Sequence, residues 1–159
     1  MREKHDGVLG PSDSVRLWLR LLSCAMVIEK QVRRGLSESF KTTLPRFDVL
    51  AALDRHPNGM TMGALSSSLL VSNGNVTALV RALERSGHVT LVSSPADRRA
   101  NIAAMTQSGK TYFDSLAHAH HGWIDAMFDD LSMSQRELLF DLLGALKVSI
   151  ARADSEEIS

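Results

Sequence analysis

Between Thr61 and Met105 the spacing of apolar residues changes twice, and this change limits the fold more than any other feature of the chain. Residues 72–86 keep a helical period, with Val76, Leu79, Val80 and Leu83 on one stripe and Gly87 standing where the helix should stop. Directly afterwards, 88–93 (His-Val-Thr-Leu-Val-Ser) read as a strand, Ser94-Pro-Ala-Asp as a turn, and 100–105 as a returning strand. Upstream, Thr61 is placed to cap a short helix through Ala64, Leu65 and Leu69. Val71-Ser-Asn-Gly then breaks that helix, with Ser72 or Asn73 able to cap the next. Two short helices across a tight break, followed by a two-stranded hairpin, predict a winged helix-turn-helix.

The flanking segments are helical. Val15, Leu19, Leu22, Met26 and Val32 predict a long helix from Ser14 to about Ser39. A second begins near Pro45 and ends at the Pro57-Asn58-Gly59 turn. Thr106 opens a long helix to about Asp130. A capping box of Ser134 and Glu137 is expected to open the last helix, which carries Leu138, Leu139, Leu142, Leu143, Leu146 and Ile150. The fold class expected is mainly α with a small β-hairpin wing: residues 45–106 form the winged helix-turn-helix, 14–44 and 107–153 a helical dimerisation region, and 1–12 a loose tail. The outer helices carry more apolar surface than a small winged core can cover, which predicts a homodimer.

Eighteen Lys and Arg balance eighteen Asp and Glu, so net charge alone does not suggest a nucleic-acid partner. The distribution does. Residues 1–106 carry fourteen basic against nine acidic side chains, and residues 107–159 four against nine. One basic face can therefore meet phosphate while an acidic end points elsewhere. The longest apolar stretch, Leu17 to Ile28, is interrupted by Arg20 and is too short for a bilayer. No secretory signal is recognisable, and the single Cys24 cannot form an internal disulfide. A cytoplasmic protein is expected.

On a helix over 72–86, Thr77, Ala78, Arg81 and Arg85 face away from the apolar stripe, with Gly74 near the entry. Close approach to a major groove needs small residues, and base edges need donors such as Asn, Thr and Arg. Ser72, Asn73 and Asn75 crowd the helix start, where free N–H groups favour phosphate. The hairpin tip carries Asp97, Arg98 and Arg99, a basic projection suited to a minor groove. Double-stranded DNA is the partner expected.

In register, Leu44-Pro-Arg-Phe-Asp-Val-Leu, Met62-Gly-Ala-Leu, the run Val71 to Gly87, Asp97-Arg-Arg, Met105-Thr-Gln-Ser-Gly and Leu131-Ser resemble the MarR family of bacterial transcriptional regulators. The resemblance covers about residues 14–150. It implies an obligate homodimer on a pseudo-palindrome, with Arg99 in the minor groove, Asp97 orienting it, and the helix from Ser72 reading the major groove. It also implies a repressor released by a small ligand or by cysteine oxidation.

Three switches follow from the residues. A small aromatic or anionic effector would meet Arg16, Arg20 and Arg46 through its charge, with Trp18, Phe47 or Trp123 bounding its ring. Cys24 offers a redox alternative, but it lacks a cationic neighbour and Tyr112 is the chain's single tyrosine, so a buried bystander thiol is expected. His118, His120 and His121 include an i, i+3 pair compatible with a metal, yet no further ligands accompany them, and polar helix surface is the reading preferred. No cofactor is expected. An enzyme is not expected either, because no nucleophile motif, phosphate loop or carboxylate pair is present. A winged helix that binds protein in place of DNA is the remaining alternative.

Overall fold

The computed structural model describes residues 14–69, 73–93 and 101–156. Among the described residues, six helices and three strands follow in the order α1 (Ser14–Phe40), α2 (Leu44–Asp54), β1 (Met60–Thr61), α3 (Met62–Leu69), α4 (Asn73–Arg85), β2 (Val89–Ser93), β3 (Asn101–Met105), α5 (Gln107–Phe128) and α6 (Met133–Glu156). The expected winged helix-turn-helix flanked by long helices is therefore present. The loose tail at 1–12, the break residues Val71 and Ser72, the Ser94-Pro-Ala-Asp turn, and Asp97, Arg98 and Arg99 lie outside the described residues.

The chain divides into two compact units, one ending at Trp123 and one beginning at Ile124. In the first unit, Val32 and Leu36 of α1, Val49, Leu50 and Leu53 of α2, Leu65 of α3, and Val76, Val80 and Leu83 of α4 are buried together with Val89, Ala103, Phe113 and Leu116. Each large aliphatic side chain removed from water here contributes roughly 1.5–3 kcal/mol. Only the last turns of α1 enter this core: Val15, Leu17, Trp18 and Met26 are exposed.

Among the described residues the sheet has three strands, not the two that sequence suggests. Its order is β1-β3-β2, antiparallel throughout, with Met60 opposite Ala103 and Thr61 opposite Ile102. The wing pairs Val89 with Met105 and Ser93 with Asn101. A two-residue strand has no readable period; β1 exists because Gly59, at φ 79°, turns the chain back along β3.

In the second unit, Leu131 N–H donates to the Phe128 carbonyl (3.0 Å) and Arg136 Nε to the Leu131 carbonyl (3.1 Å). The capping box at α6 is Ser132 with Gln135, two residues before the expected Ser134 and Glu137. Gln135 N–H donates to Ser132 Oγ (3.3 Å), and Ser132 N–H donates to Gln135 Oε1 (2.8 Å). Both pairs fit the Ser-x-x-Glu/Gln pattern; the turn after Phe128 places Ser132 at the helix entry and leaves Ser134 already inside the first turn.

Candidate nucleic-acid interface

Helix α4 is held on three sides. Its buried stripe faces α2 and α3, and its C-terminus is locked by a Schellman motif: His88 N–H donates to the Leu83 carbonyl (3.0 Å) and Gly87 N–H to the Glu84 carbonyl (2.9 Å). Gly87 sits at φ 76°, a conformation that other residues adopt only at a cost. Thr106 then ties this cap to the start of α5. Its hydroxyl donates to the Gly87 carbonyl (2.7 Å) and accepts the Gly109 N–H (2.9 Å), while its own N–H donates to the His88 carbonyl (3.0 Å). The approach is so close that a Cβ on Gly109 would lie 2.0 Å from the His88 carbonyl oxygen. The His88 ring stacks on Tyr112 at 4.2 Å with 9° between planes. Helix α4 therefore has its far end fixed to α5 through backbone, hydroxyl and ring contacts together.

The opposite face of α4 is open. Gly74, Asn75, Thr77, Ala78, Arg81 and Arg85 are exposed, while Val76, Val80 and Leu83 are buried and Leu79 is half-buried. The division expected from the helical period is therefore observed. Asn73 begins the helix, whereas Ser72 lies outside the described residues. The two arginines differ: Arg81 Nη1 donates to Glu84 Oε2 at 2.7 Å, and Arg85 has no ion-pair partner among the described residues. Glu84 was not among the expected site residues, although the i, i+3 spacing that pairs it with Arg81 was readable. His88, Thr106 and Gly109 were also missed, because their contacts join segments about twenty residues apart.

The six residues expected around an effector do not meet in one chain. Phe47 is buried, stacked on His120 at 4.9 Å and beside Phe113 at 5.7 Å. Trp123 packs edge-on against Phe40 at 6.3 Å. Arg16, Trp18 and Arg20 lie in the opening turns of α1. Trp18 precedes Phe40 by roughly 33 Å of helix at 1.5 Å per residue. Trp18 and Trp123 of the same chain therefore cannot bound one small ring; the helical spacing gave each an open face but not the distance between them. Arg46 is half-buried on α2 beside Phe47.

Two further expectations change. Cys24, expected to be buried, is exposed on α1, because the core receives only the helix's C-terminal turns. His118 and His121 are exposed as expected, but His120 is half-buried against Phe47, and burial holds its pKa below the usual value, with the charge of His121 adding to the effect. Among the described residues no group of three His, Cys, Asp or Glu side chains is arranged to hold a metal ion. No helix among them is long and apolar enough to cross a membrane.

Comparison with known proteins places this geometry. A model of the MarR family matches residues 40–100, which contain α2 to β2 and the segment leading to β3. The transcriptional activatory protein BadR of Rhodopseudomonas palustris is 36% identical over 132 residues, covering 78% of this chain and 75% of BadR. YkoM of Bacillus subtilis, an uncharacterized HTH-type transcriptional regulator, is 32% identical over 118 residues and covers 74% of each chain. Among solved structures, a MarR family transcriptional regulator from Silicibacter pomeroyi superposes with a TM-score of 0.74 at 30% identity, covering 87% of this chain and 95% of its own. AbsC, a MarR family regulator from Streptomyces coelicolor, shares the fold at a TM-score of 0.78 and 21% identity, over 94% of this chain and 99% of that one. With a helix-turn-helix, a wing and relatives that are transcriptional regulators, the chain belongs to the MarR family of DNA-binding transcriptional regulators.

Proposed function

We propose that this protein is a homodimeric repressor that binds a pseudo-palindromic operator and is released by a small aromatic or anionic effector. The observation that carries the DNA reading is the exposed face of α4, small at Gly74 and Ala78, polar at Asn75 and Thr77, and basic at Arg81 and Arg85. That face suits a major groove, and Arg99, oriented by Asp97 and flanked by Arg98, suits the adjoining minor groove. Ser72 and Asn73 complete the set at the helix entry, where N–H groups meet phosphate.

The dimer is supported by apolar surface that one chain leaves open: Val15, Leu17, Trp18 and Met26 on α1, and Leu138, Leu139, Phe140, Leu142, Leu143, Leu146, Val148 and Ile150 on α6. Residues 14–44 and 107–153 are its interlocking part and residues 45–106 its DNA-binding part. Two copies present half-sites ~34–36 Å apart, doubling the sequence that one α4 can read. Repression follows where the bound dimer overlaps a promoter. BadR is named as an activatory protein, and the same dimer placed upstream of a promoter acts in that sense, so operator position sets the sign. The site of action is the cytoplasm, where the DNA lies, and no catalytic role is assigned.

The test is a mobility-shift titration on the duplex flanking the gene, with wild type and Arg99→Ala. Wild type should bind with log K against log salt sloping at about −5 to −7 for six to eight phosphates contacted. Arg99→Ala should lose operator affinity while remaining a folded dimer. Wild-type indifference to every duplex at low salt would end the proposal. One observation favours a second switch beside the effector: the Cys24 thiol is exposed. Release by peroxide that disappears in Cys24→Ser selects that switch; release by aromatic acids that persists in Cys24→Ser selects the effector.

A further inference from the structure

Helix α4 presents two arginines on its open face, one turn apart, in unlike surroundings. Arg81 is tied to Glu84 at 2.7 Å, with both side chains partly exposed, and Arg85 carries its charge alone among the described residues. We propose that Glu84 is a specificity-determining residue of the DNA interface: it holds Arg81 as a reader of a base edge and leaves Arg85 as the phosphate contact. The inference rests on the DNA-binding reading above.

The physical case has two parts. A free arginine in a groove walled by phosphates finds many acceptors of similar energy and discriminates little between sequences. A carboxylate accepting one N–H of Nη1 makes the pair neutral, which weakens the pull of distant phosphates, and it restricts a side chain that otherwise has large rotamer freedom. The remaining N–H groups of the guanidinium keep their fork and can meet two acceptors, as on the edge of a guanine. Arg85 stands at the last residue of α4, farther from the entry that meets the bases. The charge at the end of the helix steers toward the backbone, and the neutralised pair in its middle reads sequence.

The experiment uses full-length protein and two probes: a site selected by wild type from a random duplex library, and a random-sequence duplex of equal length. Affinities are measured across salt for wild type, Glu84→Gln, Arg81→Ala, Arg85→Ala and the double variant Arg81→Ala/Glu84→Gln. Glu84→Gln keeps the side-chain volume and frees Arg81. It should bind the random duplex more tightly and steepen the salt slope by about one for each recognition helix. The ratio of selected to random affinity should fall about two- to thirtyfold, the range for losing one exposed ion pair at each of two half-sites. In the Arg81→Ala background the Glu84 change should have no effect on the ratio, and Arg85→Ala should flatten the salt slope with the ratio kept. A Glu84→Gln ratio equal to wild type, or an effect that survives without Arg81, overturns the assignment while leaving the DNA-binding reading intact. Absence of wild-type binding to either probe overturns both.

Discussion

Helix α4 and helix α6 both carry many apolar side chains, yet those of α4 are covered and those of α6 are not. Val76, Val80 and Leu83 are at most 2% exposed because α2, α3 and β2 converge on that stripe. On α6, Leu138, Leu142, Val148 and Ile150 are more than half exposed and Phe140 reaches 78%. The contrast teaches that the two regions obey different conditions. The winged region has its core completed within the first unit, by its own helices and hairpin together with Val32 and Leu36 of α1 and Phe113 and Leu116 of α5. Helix α6 and the opening turns of α1 each leave apolar side chains exposed, which is the surface the proposed dimer would cover. If the proposed dimer forms through these faces, folding of the first region and assembly through the second should be separable by mutation.

The sharpest way to break the comparison is Leu142→Asp. A charge on the α6 stripe should abolish association at micromolar concentration, read by light scattering, and lower operator affinity by about a hundredfold, the lower end of what linked half-sites contribute. The winged region should keep its helical circular dichroism. A Leu142→Asp protein that stays dimeric and binds normally would mean that the exposed stripe of α6 has another use.

Next in size is Gly109→Ala, aimed at the joint between α4 and α5. The added methyl meets the His88 carbonyl oxygen at 2.0 Å, and backbone cannot swing aside as a side chain does. A loss of about 2–3 kcal/mol is expected, seen as a fall in melting temperature of roughly 4–12 °C. The same methyl at Gly144 of α6 meets nothing within 4 Å in the single chain, so Gly144→Ala should leave the fold of each chain unharmed.

A smaller effect concerns pH. Burial lowers the His120 pKa in the folded state, so the unfolded chain binds a proton more readily between the folded value and about 6.5. The His120 contribution should be constant above about pH 7 and fall as pH drops through that window, and His120→Gln should flatten the slope in a denaturant series. Asp48 works in the other direction. Burial raises its carboxyl above the usual range, with Arg33 opposing and Glu29 assisting, so the folded state holds the proton more tightly. Its contribution is lost as pH rises from about 4 through the raised value. Asp48→Asn should therefore raise the melting temperature at pH 7.

The smallest expected change is at Lys41, which ends α1 at φ 52° and pairs its N–H with the Ser37 carbonyl (3.2 Å). Glycine takes this left-handed conformation without strain, so Lys41→Gly should stabilise by about 0.5–1 kcal/mol in a denaturant titration.

Much of this architecture could be read before any coordinates. The helical stripe of α4, the closing Gly87, the alternation in the wing and the Pro45 entry each follow from local rules, in which a residue interacts with neighbours three or four positions away or opposite it in a hairpin. The division of α4 into buried and open faces was equally legible, since period alone decides which residues share a side. Even the Arg81–Glu84 pair lies within that local reach, although it was overlooked. What resisted reading was set by distance in the chain. Strand β1 depends on pairing across some forty residues, the Gly109 contact on backbone meeting backbone, and the placement of Trp18 far from Trp123 on the rigid length of α1. Cys24 is exposed for the same reason: the helical pattern names an apolar face, but only packing decides which turns of that face receive a partner. Local sequence determined the elements and their faces; the tertiary structure decided which faces are covered, because burial depends on what long-range folding brings opposite them.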